Sequence, residues 1–355
     1  MTRRPELNIR SGVPRPVSNP PNPWHVAHID WEGEPPPAEL HVYTEQARSA
    51  VSENSSPDIP FRYSVNPYRG CYHGCAYCYA RPTHQYWDLG AGTDFERRII
   101  VKTNIVERLR ETFARPSWQG DLIVFSGNTD CYQPLEAAYR LTRGCLDVCL
   151  EHQQPITIIT KGSVIRRDIE VLAELGKRAS VAVFLSIPFA SDETSRALEP
   201  WASPTSRRFE TMRQLSEAGI PTGISLAPVV PGLSESDIAR QLRRAKDAGA
   251  SFAALSLLRL APEVQGFFED RLRATLPLRA DRVLRAVKEM REGHLTDKRF
   301  GHRMRGTGPR WNLLAELFTQ ECRRLGLEAG PPAPNRTFRR PSAQLELWSC
   351  GTNTH

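Results

Sequence analysis

At 355 residues and 40% hydrophobic content the chain suffices for one large globular domain, and no stretch nears the roughly 20 apolar residues that span a bilayer. The Arg3–Arg4 pair is followed by no apolar leader. The reading is therefore a cytoplasmic protein, in which eight cysteines serve metal or redox chemistry and not a disulfide scaffold. The net charge of +7 admits an anionic partner and says little about fold.

Residues 1–56 read as a Pro-rich N-terminal extension, with Pro14, Pro16, Pro20, Pro21 and Pro23 followed by Pro35, Pro36 and Pro37. So few apolar runs cannot offset the entropy of ordering, and only Trp24, Trp31 and Tyr43 offer anchors. From residue 61 a strand–helix alternation begins. A strand over 61–65 is followed by helix 103–114, strand 121–126, helix 135–152 and strand 156–160. Helix 164–176, strand 180–187, helix 206–218 and strand 222–227 come next. Helix 234–248, capped by Ser234, and strand 252–258 complete the series. The strands are β-branched and apolar on both faces, as strands covered on each side must be. Six strands separated by helices predict an α/β fold, either a partial (β/α)6 TIM-like barrel or a doubly wound sheet, and are too few for a closed eight-fold barrel.

Beyond 263 the pattern turns helical, over 263–293 and 309–326, and residues 328–355 read as loose. The expected division is an extension to 56, a core domain over 57–300, and a helical, basic C-terminal region over 301–355. Residues 291–340 carry eleven basic against five acidic side chains. An arginine-dominated face of this kind suits a phosphate backbone, and a solvated helix surface would account for it equally.

The segment NPYRGCYHGCAYCYARP, residues 66–82, holds Cys71, Cys75 and Cys78 at C-x3-C-x2-C spacing. Gly70 and Gly74 allow the backbone to wrap tightly, so three thiolates converge on one centre. A cubane has four irons, and three protein thiolates leave one iron to bind something else. Arg69 and Arg81 stand nearby to offset the negative charge of such a cluster. The alternative is a zinc-dependent nucleic-acid-binding protein without catalysis, with His73 or His84 as fourth ligand. Cys145 and Cys149, four residues apart on one helix face, read as core residues, since two ligands are too few for a metal.

With Tyr77 as the aromatic residue before Cys78, this spacing resembles the radical S-adenosylmethionine (SAM) superfamily. The resemblance implies an enzyme of lyase or oxidoreductase type. Its cofactors would be a [4Fe-4S] cluster on Cys71, Cys75 and Cys78, with SAM on the open iron. An electron from a reducing donor would then yield a 5′-deoxyadenosyl radical. The partners so implied are SAM, that donor and a possible nucleic-acid substrate, with no membrane. On the family's pattern, Gly127, Asn128, Thr129 and Asp130 at the second strand end match the contacts to the methionine amino group. Lys161 at the third strand end suits the methionine carboxylate, and Ser186 at the fourth suits the carboxylate or ribose. Ile224 and Leu257 are candidate adenine neighbours but fit core packing better. The NPYRGC opening and the TKGS strand end look most like the spore photoproduct lyase-related branch and its uncharacterised bacterial relatives. Gly127 stands where the lyase carries a hydrogen-donating cysteine, and Cys131 is shifted from that position, so the lyase's own activity is not carried over.

Overall fold

A computed structural model describes residues 39–340 apart from 298. Trp24, Trp31, Lys298, Cys350 and the terminal segments 1–38 and 341–355 lie outside the described residues.

The chain runs through β1 (His41–Glu45), β2 (Val51–Glu53), β3 (Tyr63–Val65) and the two-residue β4 (Tyr68–Arg69). The cysteine loop follows, then α1 (Thr93–Arg97), β5 (Arg98–Lys102), α2 (Ile105–Ala114) and β6 (Ile123–Phe125). Next come α3 (Glu136–Tyr139), α4 (Leu141–Glu151), β7 (Ile156–Thr160), α5 (Ile169–Arg178) and β8 (Val181–Ser186). After α6 (Asp192–Leu198) and α7 (Thr205–Glu217) the chain forms β9 (Thr222–Val229), α8 (Ile238–Asp247) and β10 (Phe252–Leu257). It closes with α9 (Pro262–Thr275), α10 (Pro277–Glu289), α11 (Gly308–Leu325) and β11 (Glu328–Ala329).

The main sheet has the order β11-β10-β9-β8-β7-β6-β3-β2. Every neighbouring pair in it is parallel except β2 against β3. The six strands expected from the sequence thus stand side by side in chain order, as a partial (β/α)6 barrel whose two edges do not meet. Burial explains their composition: all six residues of β8 (VAVFLS) are buried, because helices cover one face and the barrel interior the other. The helices answer with single apolar stripes; α8 buries Ile238, Gln241, Leu242 and Ala245, the i, i+3, i+4, i+7 face. Parallel strands open their C-terminal ends to one rim, and the loops there carry the candidate residues.

Several elements differ from the sequence expectation. The helix expected over 135–152 breaks at Arg140, whose φ is +52°. The buried carboxylate of Glu136 accepts from the Thr142 and Arg143 N–H groups (3.0 and 3.3 Å), capping α4 and replacing a continuous ladder. Ser234 does not cap α8; its hydroxyl accepts from the Val230 N–H at 2.9 Å, and a 3-10 turn over Glu235–Asp237 precedes the helix. The helical stretch 263–293 divides at Pro277, which starts α10. Residues 328–340 are not loose: β11 pairs with β10, Phe338 packs edge-on to Phe113, and Arg339 N–H donates to His152 O at 2.8 Å. A second sheet, β1-β5-β4, was absent from the expectation. It places β4 directly before the cysteines, so the loop leaves this small sheet and not β3 itself.

Candidate cofactor site at the cysteine loop

The loop is tied down from several directions by elements remote in sequence. Cys71 N–H donates to Phe95 O (2.9 Å), and Ala76 N–H to Leu198 O (2.8 Å). Gln133 clasps the loop with both ends of its amide, accepting from Tyr72 N–H (2.8 Å) and donating to Gly70 O (3.1 Å). Gly70 and Gly74 hold φ of +77° and +66°, the region glycine tolerates. A Cβ on Gly70 would lie 2.8 Å from the Phe95 carbonyl oxygen, so the turn has no room for a side chain.

All three thiols are free, with Cys71 and Cys75 buried and Cys78 half-buried. Burial pushes each thiol up, and the negative charge of Asp130 and of the other two sulfurs adds to this at Cys71. Cys75 rises to about 12 through burial, although the Lys161 ammonium pulls the other way. At Cys78 burial is opposed chiefly by Arg81. The sulfurs therefore sense one another and the cations of Lys161, Arg81 and Arg208, and protein alone does not make them thiolates. A bound metal centre reverses this, because its own charge deprotonates a coordinating thiol. Among the described residues no three His, Cys, Asp or Glu side chains gather around one point as a single ion requires. The zinc alternative needed His73 or His84 beside the thiols. His73 Nδ1 instead faces Asp130 Oδ2 (3.3 Å), and His84 Nε2 meets Arg98 O (2.8 Å). In a cubane each thiolate takes a separate iron, so the three sulfurs need not share one point.

The two arginines named beside the loop differ in role. Arg81 is fully buried; it donates to the carbonyls of Cys75 (2.9 Å) and Gly92 (2.7 Å) and pairs with Glu96 (2.7 Å). Arg69 turns away, paired with Glu45 (2.7 Å) and stacked on Trp87 (4.5 Å).

Beneath the loop, residues expected from two strand ends and the cysteine segment meet. Lys161 Nζ donates to Ser186 Oγ (2.9 Å), which donates to Ala227 O (3.1 Å). The same ammonium lies 3.8 Å from Glu199 and 5.8 Å from the centre of the Tyr77 ring. Tyr77 donates its hydroxyl to Glu199, and Arg208 pairs with the same carboxylate at 2.5 Å. Burial would raise the carboxyl pKa of Glu199, but Arg208 and Lys161 hold it down. The Glu199–Arg208 pair escaped sequence reasoning, because a Glu after one short helix and an Arg inside the next carry no local signal of meeting.

The 127–130 segment is organised differently. Asn66 Oδ1 accepts from the Asn128 and Thr129 N–H groups (2.8 and 3.3 Å), and Thr129 Oγ1 donates to Tyr68 O (2.7 Å). Gly127 abuts Ser64, which an added Cβ would meet at 2.7 Å, and its carbonyl accepts from Tyr79 Oη (2.9 Å). Asp130 accepts from Tyr132 N–H (2.9 Å), Thr160 Oγ1 (2.7 Å), Lys161 N–H (2.7 Å) and His73. Burial would raise its pKa, yet His73 with the Lys161 and Thr160 hydrogen bonds brings it to about 2. A carboxylate offers about four lone-pair positions, so Asp130 is saturated by the protein and serves as a brace between strand ends. Cys131, Cys145 and Cys149 are fully buried in the main core, as are Ile224 and Leu257.

Comparisons with known proteins fit this geometry. A model of the radical SAM superfamily matches residues 65–245. The uncharacterized protein Rv2578c of Mycobacterium tuberculosis is 36% identical over 212 residues, covering 59% of this chain and 62% of its own length. The chain thus spans less than two thirds of that relative. The radical SAM Nalpha-GlyT isomerase of Pseudomonas phage M6 is 29% identical over 182 residues, 50% of this chain and 35% of that protein. Spore photoproduct lyase complexed with dinucleoside spore photoproduct superposes with a TM-score of 0.61 over 84% of this chain and 87% of the lyase. At 14% identity, this likeness shows the fold alone.

Proposed function

The chain belongs to the radical SAM superfamily, and from that premise we propose that Cys71, Cys75 and Cys78 hold a [4Fe-4S] cluster at which SAM is reductively cleaved. When bound, that cluster and SAM supply an electron and a 5′-deoxyadenosyl radical for hydrogen abstraction. The observation that carries the reading is the set of three free thiols on one glycine-turned loop, at the rim where the parallel strands end.

The chain's own residues position and shield. Gln133, Phe95 O and Leu198 O fix the loop. Lys161, held by Ser186 and Glu199, presents a cation to the methionine carboxylate. The Gly127–Thr129 backbone is the surface for the ammonium, since Asp130 has no acceptor left. Tyr77 keeps the loop seated on Glu199. The substrate proposed is a nucleic acid. It is supported by the lyase structures that hold a dinucleoside photoproduct.

Anaerobic reconstitution tests the reading. The wild-type chain is expected to take up about four irons and to release 5′-deoxyadenosine when dithionite and SAM are added. Cys75→Ser is expected to bring both to background. Stoichiometric zinc in a colourless, folded chain would overturn the proposal.

A further inference from the structure

Three guanidinium groups converge where β10 ends, and their charge is only partly answered. Arg303 donates to the Asp58 carboxylate and to the Ser56 hydroxyl, and Gly301 N–H bonds the same carboxylate. Arg291 is only 4% exposed. Its Nε and Nη2 donate to Leu258 O (3.1 and 2.6 Å), Nη2 also to Arg303 O (3.0 Å), and its Nη1 has no hydrogen-bond partner. Arg259, half-buried and next in chain to the Leu258 carbonyl that Arg291 holds, has neither a hydrogen bond nor an ion pair among the described residues, although the charges of Arg303 and Asp58 and the Tyr79 phenol act on it.

The acids in reach are already engaged. Asp58 is taken by Arg303, while Asp297 (2.8 Å) and Glu292 (3.1 Å) are taken by Arg299. Elsewhere in the basic stretch Arg310 is matched by Glu235 and Glu289, and Arg324 by Glu321. What sets the end of β10 apart is burial: Arg291 is buried with an unmet donor and Arg259 is half-buried, whereas Arg305, Arg323, Arg336 and Arg339 are exposed to solvent. Burying a guanidinium with an unmet donor is unfavourable unless an acceptor arrives. The place also faces the chemistry. Tyr79 follows Cys78 directly, is 49% exposed, and rests its hydroxyl on Gly127 O at the end of β6.

We propose that Arg259, backed by Arg291 and Arg303, binds a phosphate group of the substrate, with the exposed ring of Tyr79 as the face on which the attached base stacks. The planar fork of arginine matches a phosphate's oxygens, and aromatic faces beside such cations recur in single-strand recognition. This deepens the functional reading above, whose rim it takes as the substrate entrance.

Binding needs no turnover, so it is measured on the reconstituted full chain with fluorescein-labelled single-stranded oligothymidylate at two salt concentrations. Arg259→Gln is expected to weaken binding about tenfold and to lower the salt slope by about one charge, and Arg259→Lys to recover part of the affinity. Arg213→Gln, which removes the same charge from the solvent-facing side of α7, is expected to change affinity less than about twofold. Equal losses in Arg259→Gln and Arg213→Gln, or no loss at Arg259, would overturn the site, as would no binding at all. Competition by thymidine monophosphate at matching concentration would keep the phosphate site and overturn a polymeric source for it. A chain that binds through Arg259 but releases no 5′-deoxyadenosine removes the proposed reaction and leaves this site standing. Release without binding removes the site alone.

Discussion

Two lysines of this protein stand at strand ends, Lys102 buried and Lys161 half-buried, and meet opposite fates. Lys161 closes β7 and Lys102 closes β5, and burial works against the charge of both. At Lys161 the Cys75 sulfur and the Glu199 carboxylate outweigh it, and the pKa rises. At Lys102 the Arg69 charge adds to burial, Glu45 offsets too little, and the pKa falls to about 8. Depth alone does not decide whether a lysine stays charged; the sign of its neighbours does. The site lysine is built to remain a cation, the other tolerates losing its proton.

The strongest way to break this contrast is to remove the anchor behind the site lysine. Arg208→Met leaves Glu199 buried with Lys161 as its remaining cation, and is expected to lower unfolding free energy by ~3–5 kcal/mol in equilibrium denaturation. The double variant Glu199→Gln, Arg208→Met should lose clearly less, because no lone charge is left inside. Lys102 gives the next effect, through pH. Below about 8 it carries a proton in both states and the whole burial penalty stands. Between about 8 and the ordinary lysine value of 10.5 the unfolded chain holds a proton that the folded chain has released, so stability rises with pH. The rise is worth ~3 kcal/mol relative to Lys102→Met, which should lack it; parallel stability curves for the two chains would contradict the assignment. Ser186→Ala sharpens the comparison at its finest level. It removes the hydroxyl that accepts from Lys161, and is expected to weaken SAM binding about fivefold, ~1 kcal/mol, in calorimetry while leaving the denaturation midpoint unchanged.

What was legible in the sequence was what is local. The six parallel strands and the cysteine spacing follow from hydrophobic runs and a short motif, each readable within a window of some ten residues. The sheet β1-β5-β4 escaped because RIIVK directly follows a five-residue helix with no turn residue between, and because two residues make no pattern. Asp130 was read as a free acceptor since its donors come from His73, Thr160 and Lys161, which no local rule gathers around it. Lys161, Ser186 and Tyr77 were each named singly, but their meeting depends on Glu199 and Arg208, whose partnership arises only once α6 and α7 fold over the strand ends.

The pairing of Asp58 with Arg303 reaches further than its size suggests. Asp58 lies in the connection between β2 and β3, at one edge of the sheet, and Met304, next to Arg303, accepts from Leu257 N–H near the other. Together with Gly301 N–H on the same carboxylate and Arg303 on Ser56, this pair buckles the segment before β3 to the segment after β10, across the gap that the strands leave open.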